Sequence, residues 1–281
     1  MRSAPLVRNV RLDACVADRR EARAITGRDL HSYLRRIGLE AAIADGPADV
    51  GLVRTVVAAQ IASVPFENLD IHRGIPVDIE PAALVDKLVG RRRGGICYEV
   101  NGLLTLALRG LGFDAHLVGA EVLTDAGYGP PLGHVVLVVR IDGHPWLVDA
   151  GFGGEALVEE ATDGDPGAGT AYDVRFESGS AYRTDGVLRP LADFVAMAHW
   201  HSTSPGSRFT RGIVCSVTRS DGRYTLSCAL GGDYRLTITG ENGRETRELD
   251  DADVVEVLRR EFGVALADPP RPRDVGAAAR L

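Results

Sequence analysis

The stretch Arg91–Leu104, RRRGGICYEVNGLL, decides how the chain is read. From Cys97 the apolar residues fall at Val100, Leu103, Leu104, Ala107, Leu108 and Leu111. That is the i, i+3, i+4, i+7 spacing of a helix with one buried face, and Gly112 closes it. Gly94-Gly95 then forms the entry turn, and Cys97 lies in the first helical turn. A lone cysteine is ordinarily a buried apolar residue. A helix start favours the thiolate over the thiol, however, and glycines let another molecule approach the backbone. The same residues therefore read either as core or as a nucleophile.

Upstream, the chain reads as helices. In DLHSYLRRIG, Asp29 is a candidate N-cap, Leu30, Tyr33, Leu34 and Ile37 share a face, and Gly38 is the stop. ADVGLVRTVVAAQIASVPF continues with Leu52, Val53, Val56 and Ile61 and ends before Pro65. PAALVDKLVG has Pro81 at its first turn and Gly90 behind it. Downstream of Phe113 the period changes. HVVLVVRI and PWLVDAGF are strand-like runs, and Asp185-Gly186, Asp221-Gly222 and Asn242-Gly243 read as further hairpin turns. A last helix is predicted in DDADVVEVLRREFG, followed by a Pro-, Arg- and Ala-rich tail expected to be disordered. The order helices, then strands, then strands with a closing helix is that of an α+β chain.

Composition narrows the function classes. The chain has 281 residues, 45% of them hydrophobic and 25% charged, with a formal net charge of −7. An acidic balance argues against a general nucleic-acid or membrane-surface binder. No apolar run approaches the roughly 18 residues that would span a bilayer. The N-terminus is Arg-rich without an apolar core, so it does not read as a secretory signal. Cys15, Cys97, Cys215 and Cys228 are spaced for neither a disulfide framework nor a zinc site, and a reducing cytoplasm is expected. His199 and His201 in HWHS alternate as on a strand; without a third ligand, no metal is expected there. Arg91–Arg93 read as a solvated face, or as partners for an acidic ligand or a buried acid.

A nucleophilic thiol needs a base, and the base needs an orienting group. GHVVLVVRIDGHPWLVDAGFGG supplies candidates for both. Asp142-Gly143 predicts a two-residue type I′ hairpin, which sets Ile141 opposite His144. The register then puts His134 opposite Gly151 and Val136 opposite Asp149, all four side chains on one face. His134 and Asp149 become diagonal neighbours, roughly 7–8 Å apart in the backbone. Gly151 would leave room for the imidazole. Pro145 falls at a non-hydrogen-bonded pair, where its missing N–H costs nothing. Taken singly, His134 also reads as a strand-end histidine and Asp149 as a turn acid.

These segments resemble the arylamine N-acetyltransferase family. RGGICYEVN, Arg93–Asn101, resembles the segment around its nucleophilic cysteine, and VPFENLDI, Val64–Ile71, its upstream motif. HVVLVV, WLVDAGFGG and STSPGSRFTRGIV resemble later segments in the family's order, and the likeness runs from about Asp29 to about Leu266. It implies a helical bundle over residues 29–112, a central β-barrel over 113–212 and a C-terminal α/β lid over 213–266. An N-terminal extension, 1–28, and a tail, 267–281, flank them. It implies a papain-like triad with Cys97 as nucleophile, His134 as base and Asp149 as orienter. It further implies substrate-binding positions at Phe66, Ile96, Gly133, Gly151 and Phe152, and a structural ion pair, Glu67 with Arg93. No bound cofactor is implied. The donor would be acetyl-CoA and the acceptor an arylamine, hydrazine or hydroxylamine, by a ping-pong route. Related amide synthases release carrier-bound polyketides as macrolactams, which admits an acyl carrier protein as partner. A fold kept only as a binding module is a third reading, disfavoured by the intact triad. Three positions depart from the family pattern. Ile96 stands where an aromatic residue is frequent, Gly133 where a threonine precedes the histidine, and Glu121 where an arginine is common.

Overall fold

A computed structural model describes residues 25–241 and 243–274. Most of the extension, residues 1–24, the end of the tail and Asn242 lie outside the described residues. The helical part comprises α1 (Arg28–Arg36), α2 (Val50–Ser63), α3 (Leu69–Arg73), α4 (Pro81–Leu84) and α5 (Cys97–Gly110). A two-residue strand, β1 (Phe66–Glu67), interrupts it. Asp29 is not the cap of α1; Gly27 takes that position and Asp29 sits inside the first turn. On α2 the cap is Asp49, whose carboxylate accepts from Leu52 N–H at 2.9 Å. α4 begins with Pro81 and widens into a π-helical segment, Val85–Gly90. α5 starts and stops where its apolar period predicts.

Two antiparallel sheets follow. The larger contains β2 (Asp114–Thr124), β3 (Gly127–Tyr128), β4 (His134–Ile141), β5 (His144–Phe152), β6 (Glu155–Glu160), β7 (Asp173–Arg175) and β8 (Ala181–Arg189). Its order is β6-β5-β4-β2-β8-β7, with β3 on β2. Where a central β-barrel was expected, the sheet is a curled half-barrel: among the described residues β6 and β7 do not pair. The smaller sheet runs β1-β9-β10-β11-β12, with β9 (Gly212–Arg219), β10 (Gly222–Ala229), β11 (Tyr234–Gly240) and β12 (Gly243–Leu249). Through β1, the helical region supplies its edge strand.

Two local signals read differently in three dimensions. Asp185-Gly186 makes no hairpin. It lies inside β8, at a bulge where the pairing with β2 shifts between Val118 and Ala120. HWHS is not a strand but part of α6 (Val195–Thr203). The Asp142-Gly143 turn is as predicted: φ is 51° and 83° at its two residues, and Ile141 pairs with His144 and Arg140 with Pro145.

Three cores hold these layers. Val135, Leu137, Val139, Val148 and Ala150 turn one face of the large sheet toward the helices, where α5 is buried along nearly its whole length. Val118, Ala120, Val136, Val138, Leu147 and Tyr182 form a second core on the other face. The third lies between the small sheet and α7 (Asp251–Phe262), around Leu226, Leu236, Val254 and Leu258. Residues 267–274, expected to be disordered, lie against the body. Tyr234 donates its hydroxyl to Pro270 O, Arg271 pairs with Asp251, and Arg273 N–H donates to His72 Nδ1 at 3.0 Å.

Candidate active site

α5 brings Cys97 to the end of β4 and β5. His134 opens β4, and its Nε2 lies 2.7 Å from Asp149 Oδ2 on β5. All three residues are buried. The predicted register holds as far as Leu137 opposite Val148. Beyond it β5 becomes irregular between Asp149 and Phe152, and His134 instead pairs with Ala120 of β2. His134 and Asp149 still share the face of Val136 and Leu147, as the hairpin reading required.

Asp149 is held from several sides. Its Oδ1 accepts from Asn101 Nδ2 at 2.8 Å and from Gly151 N–H at 2.8 Å. Asn101 also donates to Val135 O at 2.7 Å and accepts from Ala150 N–H at 3.0 Å, so this one side chain bolts α5 to both strands. Asn101 escaped the sequence reading. Its signal was present: it stands one helical turn after Cys97, on the same face. Tyr182 was missed too. Its ring lies 5.1 Å from the imidazole, and its buried hydroxyl sits beside the Asp149 carboxylate without a well-aligned hydrogen bond.

These contacts decide the charge on His134. Burial, the largest single influence, disfavours the imidazolium. The charge and hydrogen bond of Asp149, joined by the hydrogen bond and charge of Cys97, outweigh it and push the pKa up to about 10. With Nε2 on Asp149, Nδ1 is the nitrogen left for the sulfur.

The glycines serve a different purpose from the one their sequence suggests. A Cβ on Gly94 would meet Pro65 O at 1.8 Å, and one on Gly95 would meet the Glu99 side chain at 2.5–2.7 Å. They let the chain itself approach: Gly95 bridges to Phe66, accepting from Glu67 N–H at 2.9 Å and donating to Pro65 O at 3.2 Å. Gly151 likewise makes room for α5 rather than for the imidazole, since an added Cβ would lie 2.9 Å from Asn101 Nδ2 and 3.1 Å from Cys97 Cα.

Behind the cysteine lies a buried ionic network. Arg93 meets Glu67 Oε1 at 2.7 Å and Asp70 Oδ1 at 2.9 Å; Lys87 meets Asp70 Oδ2 at 3.0 Å and Glu99 Oε1 at 2.7 Å. Glu99 Oε2 accepts from Ile96 N–H at 3.0 Å, and Glu67 from the N–H groups of Gly94 and Leu69. Burial disfavours the Lys87 ammonium, but Glu99, Glu67 and Asp70 together hold its pKa above the usual value. The implied Glu67–Arg93 pair is thus part of a larger network, with Asp70, Lys87 and Glu99, that fixes the entry to α5.

The remaining expected positions divide. Phe152 lies edge-on to His134 at 5.0 Å and stacks on Phe176 at 5.0 Å. Phe66 packs against Phe209 at 5.9 Å. Phe152 and Gly133 are half-buried, and Gly151 is buried. Ile96 caps α5 with its side chain fully buried in the main core, so it presents no surface to a ligand. Glu121 lies opposite Arg183, where β2 pairs with β8. Among the described residues, no group of three or more His, Cys, Asp or Glu side chains is arranged to hold a metal, and no helix is long and apolar enough to cross a membrane.

Comparison with known proteins gives first the class and then the family. A profile of N-acetyltransferases matches residues 49–270, most of the chain. The arylamine N-acetyltransferase of Mycolicibacterium smegmatis is 36% identical over 266 residues, covering 85% of this chain and 93% of its own. Human arylamine N-acetyltransferase 1 is 29% identical, covering 85% and 94%. Among solved structures, the Mycobacterium marinum enzyme in complex with CoA superposes with a TM-score of 0.70 at 33% identity, over 84% of this chain and 92% of that one. The Salmonella typhimurium enzyme gives 0.74 at 26%, over 91% and 98%. The chain belongs to the arylamine N-acetyltransferase family of acyltransferases.

Proposed function

We propose that this protein moves an acetyl group from acetyl-CoA to an arylamine, hydrazine or hydroxylamine through an S-acetyl intermediate on Cys97. The observation that carries the reading is the buried His134–Asp149 bond of 2.7 Å at the start of α5, with the imidazole pKa raised to about 10. At neutral pH the imidazole then carries its proton. The nucleophile is the thiolate, which the α5 N-terminus also favours.

The thiolate attacks the thioester carbonyl and forms the tetrahedral adduct. As that adduct collapses, the C–S bond to CoA breaks and the His134 imidazolium protonates the departing thiolate. CoA leaves and vacates the cleft for the amine. The amine nitrogen then attacks the S-acetyl carbon, neutral His134 takes the proton that nitrogen sheds, and the Cys97 thiolate departs. Asp149 holds the ring orientation throughout and balances the imidazolium. Phe152, edge-on to the imidazole and half-buried, offers the apolar surface against which an aromatic amine would lie.

A carrier-bound acyl thioester would enter the same first step, and a macrolactam would leave the second. Ile96, one of the three departures from the family pattern, is wholly enclosed in the core, which removes it as a ground for such a change of substrate. Steady-state rates with acetyl-CoA and an arylamine test the proposal. Parallel double-reciprocal lines and loss of turnover in Cys97→Ala are expected. Intersecting lines, or turnover surviving in Cys97→Ala, would contradict it.

A further inference from the structure

The segment that delivers His134 is held in a backbone shape of its own. Leu132, two residues earlier, has φ of 59°, a left-handed conformation that a branched side chain rarely adopts. Its carbonyl accepts from the Tyr98 hydroxyl at 2.7 Å, and Tyr98 directly follows Cys97 on α5. The next carbonyl, Gly133 O, lies 3.1 Å from His201 Nε2 on α6. The two carbonyls preceding His134 are thus gripped by side chains from two different helices.

His201 is buried and has no part in the acyl-transfer steps. Gly133 O can only accept, so Nε2 carries the hydrogen. His201 Nδ1 lies 3.1 Å from Ser207 Oγ, which itself accepts from Phe209 N–H at 3.1 Å and so has its hydroxyl hydrogen free to donate. Burial, together with the charges of His134 and Arg208, keeps the ring neutral, with a pKa near 4. The ring also packs against Tyr98, Trp200 and Phe209, with centroids 5.9, 5.0 and 5.1 Å away.

We infer that His201 and Tyr98 are positioning residues for His134: they clamp the Leu132 and Gly133 carbonyls and so set the distance between the imidazole and the Cys97 sulfur. The inference rests on the reading of Cys97, His134 and Asp149 as the reacting set. Through Ser207, it gives the SPGSRF loop a task at the histidine.

Three variants test it, each measured for kcat and KM and for the pH profile of Cys97 alkylation by iodoacetamide. His201→Leu removes both polar contacts, His201→Gln keeps one donor and one acceptor, and Tyr98→Phe removes a single hydroxyl. Displacing a reacting group by about 1 Å costs on the order of 100-fold in rate. His201→Leu should therefore lower kcat by about 10- to 100-fold with little change in KM, and move the alkylation profile to higher pH. His201→Gln should recover most of the loss, and Tyr98→Phe should shift the profile in the same direction by less. A folded His201→Leu with wild-type kcat and profile overturns the inference. So do equal losses in the Leu and Gln variants with an unmoved profile, which would mean packing alone. If His201→Leu does not fold, a wild-type profile in Tyr98→Phe overturns it. Turnover by Cys97→Ala would instead refute the underlying catalytic reading, whatever the clamp does.

Discussion

Replacing Gly151 by alanine adds one methyl group where the two halves of the site meet. Its φ lies outside the left-handed region, so alanine brings no backbone strain and the clash stands alone. The new Cβ would sit 2.9 Å from Asn101 Nδ2 and 3.1 Å from both Asn101 Cγ and Cys97 Cα. Comfortable carbon contacts lie at about 3.5–4.0 Å, so about half an ångström must be found. Asn101 cannot give it freely, because it is bonded to Asp149, Val135 and Ala150. The start of α5 must move, and Cys97 with it. Overpacking of this kind costs about 1–3 kcal/mol, or roughly 2–10 °C of melting temperature in a chain of this size. If 1 Å of misplacement costs about 100-fold in rate, half of that costs about tenfold. Thermal melts and kcat for acetyl transfer check both numbers. A variant within about 1 °C and twofold of wild type would show that α5 does not press on β5 as described.

The ionic network offers a second perturbation. Arg93→Leu takes from the buried Glu67 its ion-pair partner, while Asp70 keeps Lys87, and unfolding by denaturant should show a loss of about 3–5 kcal/mol; a loss below about 1 kcal/mol would place the network in water. Asn101→Ala leaves Asp149, Val135 and Ala150 each short of a buried partner, at about 1–3 kcal/mol for each such group. It should lower kcat as well as stability, and a stability loss with unchanged kcat would count against its bracing role. The pH dependence of stability has a defined sign. His134 has a folded pKa of about 10 against an unfolded value near 6.5, so its contribution is fully present below pH 6.5 and is lost as pH rises toward 10. Melting temperature should fall across that window in wild type and fall less in His134→Asn; identical slopes would contradict the assignment.

Much of this site was legible because two short segments are over-determined. The apolar period after Cys97 allows one helix, and Asp142-Gly143 allows one hairpin register, which carries His134 and Asp149 onto a common face. What escaped depends on contacts between distant segments. Gly94, Gly95 and Gly151 announce close approach, but not that the approaching group is Pro65, Glu99 or α5. HWHS alternates like a strand, yet α6 forms because Ala198 and His201, one helical turn apart, are both buried against the body. Asp185-Gly186 has the composition of a turn, while pairing with β2 on either side of it, at Thr184 and Leu188, keeps it in a continuing strand. Tyr182 and His201 carry no local signature at all, since each acts on the histidine segment from dozens of residues away, and Asn101 is marked only by its place one helical turn after Cys97.

The central claim is that Cys97 carries the acyl group between two half-reactions. Incubation with acetyl-CoA in the absence of amine, followed by intact mass and peptide mapping, tests it most directly. The account predicts a single acetyl adduct on Cys97 that disappears when an arylamine is added and is absent from Cys97→Ala. No adduct on the wild-type protein, or an adduct on another residue, would contradict it.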